Sequence, residues 1–103
     1  MHKILLTGSS GFIGSNILNN FSKDYKFYIL VRKKPIKRYL KNKNIKIIKF
    51  KKYNSLNSKL KKIKIDTVIH CATHYVKDHK FQDIEKLCYS NLIFGNIILE
   101  NLK

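Results

Sequence analysis

The stretch Thr7-Gly8-Ser9-Ser10-Gly11-Phe12-Ile13-Gly14 constrains this chain more than any other, because three glycines spaced three apart follow directly on the apolar run Ile4-Leu5-Leu6. A strand feeding such a turn can reverse tightly, expose backbone amides and bring the next helix close to the sheet. Free amides and the positive end of a helix dipole then point at one place. An anion is the natural guest there, and a pyrophosphate fits best.

The rest of the chain supplies the setting the turn demands. Ile13, Ile17 and Phe21 fall at i, i+4 and i+8 with Leu18 beside them, which predicts a first helix over Phe12–Phe21 with that face inward. Phe27-Tyr28-Ile29-Leu30-Val31 is a continuous apolar run suited to a strand buried on both faces. Pro35 can open a short helical turn through Tyr39 and Leu40, and Lys41-Asn42-Lys43-Asn44 reads as loop. Residues 45–50 alternate apolar and lysine positions, with Ile48 out of phase, as an edge strand would. Ser55 caps a predicted short helix through Ile63, and Asp66-Thr67-Val68-Ile69-His70-Cys71-Ala72 is a fourth strand. Strands alternating with helices or turns predict an α/β fold with parallel strands and right-handed crossovers.

At 103 residues the chain is one domain, short for a complete enzyme of this kind, so part of a larger protein is the expectation. No apolar run is long enough to span a membrane, and the start leads straight into the first strand with no room for a signal peptide. The expected location is cytoplasmic, where Cys71 and Cys88 stay as buried thiols. The formal charge of +16 points at first sight toward nucleic acid. Lys, Ile and Asn make up 45 of the 103 residues, however, and A/T-only codons can encode all three, so base bias explains much of the excess. The lysines are also scattered, without interleaved aromatics, so a solvated basic surface is favoured over a polynucleotide site.

If residues 84–102 form one helix, its inward stripe is Ile84, Leu87, Cys88, Asn91, Gly95, Ile98 and Leu102. A buried asparagine must have its amide satisfied and a mid-helix glycine is costly, so both suggest local roles: Asn91 bonding backbone near strand four, Gly95 allowing close approach. The opposite strip, Tyr89, Ile93 and Ile97, calls for a partner, either a second copy or another part of the protein.

The pattern Thr-Gly-x-x-Gly-Phe-Ile-Gly, the strand Asp66 to Thr73, and Asn91 with Gly95-Asn96-Ile97-Ile98-Leu99-Glu100 together resemble the extended short-chain dehydrogenase/reductases. More narrowly they are similar to the NAD-dependent epimerase/dehydratase family, which acts on nucleotide sugars. The resemblance spans the chain but corresponds to about the N-terminal third of a usual member. It implies a partial Rossmann-type, doubly wound parallel sheet of four strands in the order 3-2-1-4. It implies also that Gly8, Gly11, Phe12, Ile13 and Gly14 cradle a dinucleotide pyrophosphate, with Ser9 and Ser10 lining the turn. Ala72 and Thr73 would lie along the cofactor toward the nicotinamide, with His74 and Tyr75 on the loop behind.

The end of strand two selects the cofactor, since a carboxylate there takes the ribose 2′-hydroxyl of NAD and an arginine the 2′-phosphate of NADP. Between Asp24 and Asp66 there is no acidic residue, and Arg32 follows Val31 with Lys33 and Lys34 beside it. NADP is therefore favoured over NAD. Near the adenine, where the family usually has an aspartate after strand three, this chain offers Tyr53 and Asn54. The family's catalytic Tyr-x-x-x-Lys pair has no counterpart after strand four. Tyr39-Leu40-Lys41-Asn42-Lys43 matches the bare spacing, but six tyrosines in a lysine-rich chain yield such a match by chance. His70, His74 and His79 lack ligand spacing with cysteines or carboxylates, and His70 reads as a packed strand histidine.

Three functions stay open at this level. The first is the NAD(P)-binding part of a nucleotide-sugar epimerase, dehydratase or reductase, inactive alone. The second is a non-catalytic nucleotide-binding or accessory protein, and the third a basic nucleic-acid binder.

Overall fold

The computed structural model describes residues 1–32, 37–72 and 78–102. Four strands, β1 (Lys3–Thr7), β2 (Lys26–Val31), β3 (Ile45–Lys49) and β4 (Thr67–His70), form one parallel sheet in the order β3-β2-β1-β4. This is the partial Rossmann arrangement expected, with each strand end on the same side of the sheet. Helix α1 (Phe12–Phe21) joins β1 to β2, and the short α2 (Lys37–Leu40) precedes β3. A 3₁₀ turn (Tyr53–Ser55) runs into α3 (Leu56–Leu60) ahead of β4. The last helical stretch is composite: a 3₁₀ turn (Phe81–Asp83), α4 (Ile84–Cys88), a π-helical turn (Tyr89–Ile93) and α5 (Phe94–Asn101). Among the described residues no helix is long and apolar enough to cross a membrane.

Period-two alternation divides the apolar side chains between two layers. Ile4, Leu6, Phe27, Ile29 and Ile45 face α1 and α2, meeting Leu18 and Tyr39. Leu5 and Leu30 face the other way, onto Phe50, Leu56, Leu60, Phe94 and Ile98. Ile48 packs against that second cluster, which explains its broken alternation with Ile45 and Ile47. The continuous apolar run of β2 follows from feeding both layers.

The helix faces depart from their sequence periodicity. On α1 the buried positions are Gly14 and Leu18, while Ile13 and Phe21 are exposed. The cause is steric: without a side chain, Gly14 settles on the Gly8 carbonyl and turns the line through Leu18 inward. Ser55 makes no capping bond to α3; its hydroxyl donates to the Lys52 carbonyl at 2.7 Å. In the last helix the buried residues are Phe94 and Ile98, with Asn91 and Ile84 exposed. The stripe is thus centred one position earlier than the sequence suggests. Pro35, Lys33 and Lys34 lie outside the described residues.

Candidate functional site

The turn after β1 divides its glycines by role. Gly8 has φ +76°, and a Cβ there would stand 2.7 Å from the Ala72 nitrogen and from the Cys71 carbonyl carbon. A Cβ on Gly14 would meet the Gly8 carbonyl oxygen at 2.1 Å. Both glycines are required by the fold. Gly11 is exposed, and a Cβ on it would approach nothing nearer than the Gly8 oxygen at 3.4 Å, so its own chain asks little of it.

The turn is closed by the Gly11 amide donating to Gly8 O (3.1 Å), and the helix begins with the Ser15 amide donating to Gly11 O (3.0 Å). The amides of Phe12, Ile13 and Gly14 therefore have no acceptor within the helix. No side chain caps α1 and its first turn has no acidic residue. Ser9 is buried beneath the turn, while Ser10, Gly11, Phe12 and Ile13 form its open rim. Backbone donors, a dipole end and an unobstructed approach are the features that anion binding uses.

Thr7 ties this turn to β4. Its carbonyl accepts the Cys71 amide at 3.2 Å, and its hydroxyl oxygen accepts the Ala72 amide at 3.1 Å and lies 2.6 Å from His70 Nδ1. Ala72, half-buried, is thereby held beside Gly8. Thr73, His74 and Tyr75 lie outside the described residues. His70 packs edge-on against Phe94, with ring centroids 5.4 Å apart, and its Nε2 is buried without a partner among the described residues. Burial holds its pKa below the ordinary value. A Cβ on Gly95 would touch this ring at 3.6 Å, so the helix does approach β4 closely at that glycine, although an alanine would fit in ordinary contact.

Arg32 leaves the end of β2 and lies over an aromatic group that sequence reasoning did not assemble. Its guanidinium carbon is 4.4 Å from the Tyr53 ring centroid and 5.3 Å from that of Phe50. Tyr53 stacks on Tyr89 at 6.0 Å with an interplanar angle of 11°, and touches Phe94 at 5.2 Å. Phe50 meets Phe94 at 5.7 Å. The signal was present in part, since Phe50 and Tyr53 follow β3 directly; that Tyr89 and Phe94, five residues apart, both reach Tyr53 was not visible under an α-helical period.

The chance Tyr-x-x-x-Lys match contributes no chemistry, because Tyr39 is buried in the α1-side core. Among the described residues no three His, Cys, Asp or Glu side chains group as metal ligands, and Cys71 and Cys88 are free thiols. A shallow depression of about 340 Å³ beside Lys41, Lys43 and Lys46 lies along the β3 edge, outside the turn.

Comparisons with known proteins carry the geometry further. The family model described as "NAD dependent epimerase/dehydratase family" matches residues 4–103. A dTDP-D-glucose 4,6-dehydratase of Dictyostelium discoideum is 33% identical over 115 aligned residues, covering 100% of this chain and 26% of that protein. Among solved structures, the UDP-glucuronic acid 4-epimerase of Bacillus cereus, determined with UDP-glucuronic acid and NAD, matches with a TM-score of 0.74 and 26% identity. That match covers 96% of this chain and 35% of the epimerase. The UDP-Glc/GlcNAc 4-epimerase of Campylobacter jejuni shares the fold at a TM-score of 0.78 and 22% identity, over 98% of this chain and 33% of its own. The chain thus spans about a quarter to a third of the length of these relatives.

Proposed function

The chain belongs to the NAD-dependent epimerase/dehydratase family, and we propose that its 103 residues are the NAD(P)-binding part of an enzyme acting on a nucleotide sugar. The observation that carries this reading is the turn: Gly11 lies open to solvent where the protein itself needs no glycine, in front of three unpaired helix amides. A pyrophosphate needs that approach.

In this reading Gly8, Ser9, Ser10, Gly11, Phe12, Ile13 and Gly14 hold the pyrophosphate, and Ala72 and Thr73 border the nicotinamide half. When bound, the cofactor supplies hydride exchange with a sugar carbon. The chain's own contribution is to bind and orient. Tyr39, the sole tyrosine with Tyr-x-x-x-Lys spacing here, is in the core, so these residues are not expected to supply the proton-transferring pair. These residues alone are expected to bind without turnover.

NADP is the proposed cofactor, in contrast to the NAD of the Bacillus cereus relative. Arg32 stands at the ribose position with no carboxylate between Asp24 and Asp66 to take a 2′-hydroxyl. Calorimetric titration with NADPH and NADH tests this: NADPH is expected to bind tighter, and Arg32→Ala to bring the two together. Equal affinities in the unmodified chain would return the reading to NAD. The cytoplasm is the proposed location. Pairing of two copies through the last helix is proposed as well, with Ile93 and the exposed Leu92 and Leu99 at the contact, because Tyr89 and Ile97 already have intramolecular partners.

A further inference from the structure

We infer that Tyr53, backed by Tyr89, is a positioning residue that fixes the Arg32 guanidinium for a 2′-phosphate and so sets cofactor selectivity. The inference rests on the proposed role of Arg32 but goes beyond it, since it assigns the 2′-phosphate preference to a second side chain that acts through the guanidinium.

A free arginine on a strand end samples many rotamers, and ordering it on ligand binding costs affinity. Here the guanidinium carbon lies 4.4 Å from the Tyr53 centroid, within range for attraction to the ring's negative face. A guanidinium held over a ring engages that ring on one side only. Its N–H groups radiate from the edge and stay available for bidentate bonding to phosphate. Tyr53 is itself held on its neighbours, by Tyr89 at 6.0 Å and Phe94 at 5.2 Å. The π-helical turn makes this possible, because its i to i+5 repeat brings Tyr89 and Phe94 onto one side of the helix. Among the described residues no carboxylate pairs with Arg32, so its charge is not already committed.

The net charge of +16 attracts any polyanion, so the probes must carry equal charge. Adenosine 2′,5′-bisphosphate and adenosine 3′,5′-bisphosphate differ only in which ribose oxygen bears the second phosphate. The unmodified chain is expected to prefer the 2′,5′ isomer. Tyr53→Leu should weaken that isomer roughly fivefold while changing the 3′,5′ isomer less than about twofold, and Tyr53→Phe should behave as the unmodified chain. Equal weakening of both isomers, or none, while Arg32→Ala still abolishes the preference, would overturn the role of Tyr53 and leave that of Arg32 standing. Absence of any preference in the unmodified chain would overturn both. A readout independent of any variant is the ring-current shift of the Arg32 side-chain protons by NMR: upfield displacement is expected, and unshifted resonances would contradict the stacking.

Discussion

Gly11 differs from its two partner glycines in what requires it. Gly8 and Gly14 are fixed by contacts of 2.7 and 2.1 Å that a side chain would have to occupy, so Gly8→Ala and Gly14→Ala are each expected to lower the urea midpoint severely. Gly11→Ala should cost about 1 kcal/mol or less, as an N-cap change, yet weaken NADPH binding roughly tenfold or more by blocking close approach. Equal destabilisation across the three would contradict this division. His70 supports a second expectation. Its folded pKa lies below the ordinary 6.5, so below that pH the unfolded chain takes up a proton that the folded chain refuses. Stability should therefore fall as pH drops below about 6.5 and level off once the folded pKa is passed. Urea midpoints from pH 7.5 downward check this, and His70→Gln should flatten the trend in that window. At this scale the tight turn at Gly8 and the place of Arg32 at the end of β2 were legible in the sequence, because a positive φ and a cation at a strand end are local properties. That His70 packs was legible, but that its Nε2 is left without a partner among the described residues was not, because that depends on a helix packed from 24 residues away.

Element by element, the strands lay where their apolar runs put them, and α1 spans Phe12–Phe21 as its periodicity implied. The inward faces were harder to read. On α1 the decisive contact is between Gly14 and the Gly8 carbonyl, and a pattern of apolar residues is silent about a position with no side chain. On the last helix the π-helical turn breaks the 3.6-residue period on which the expected stripe relied, and Phe94 replaces Gly95 at its centre. Phe94 now joins Phe50, Tyr53 and His70. Phe94→Ala is expected to cost about 3 to 5 kcal/mol in denaturant unfolding, because it removes a ring from the junction of β3, β4 and the helix. A loss under about 1 kcal/mol would show that this junction contributes little.

For the molecule as a whole, β4 pairs with β1 alone among the described residues, and Phe81, Leu92 and Leu99 are exposed apolar side chains on the last helical stretch. The weight-average mass in sedimentation is therefore expected to rise with concentration, and Leu99→Lys to reduce that rise; a concentration-independent monomer would contradict pairing through this face. The excess of lysine, by contrast, was the loudest feature of the composition and the least informative about the proposed site, which draws on backbone amides, one arginine and aromatic rings. We propose that this sheet carries a dinucleotide at its carboxyl end. Amide chemical-shift mapping during an NADPH titration of the isotopically labelled chain tests it most directly. Saturable shifts concentrated at Gly8 to Gly14, Arg32 and Ala72 are predicted. A well-folded chain that shows no saturable change at millimolar NADPH, or changes centred on the β3 edge beside Lys41, Lys43 and Lys46, would contradict it.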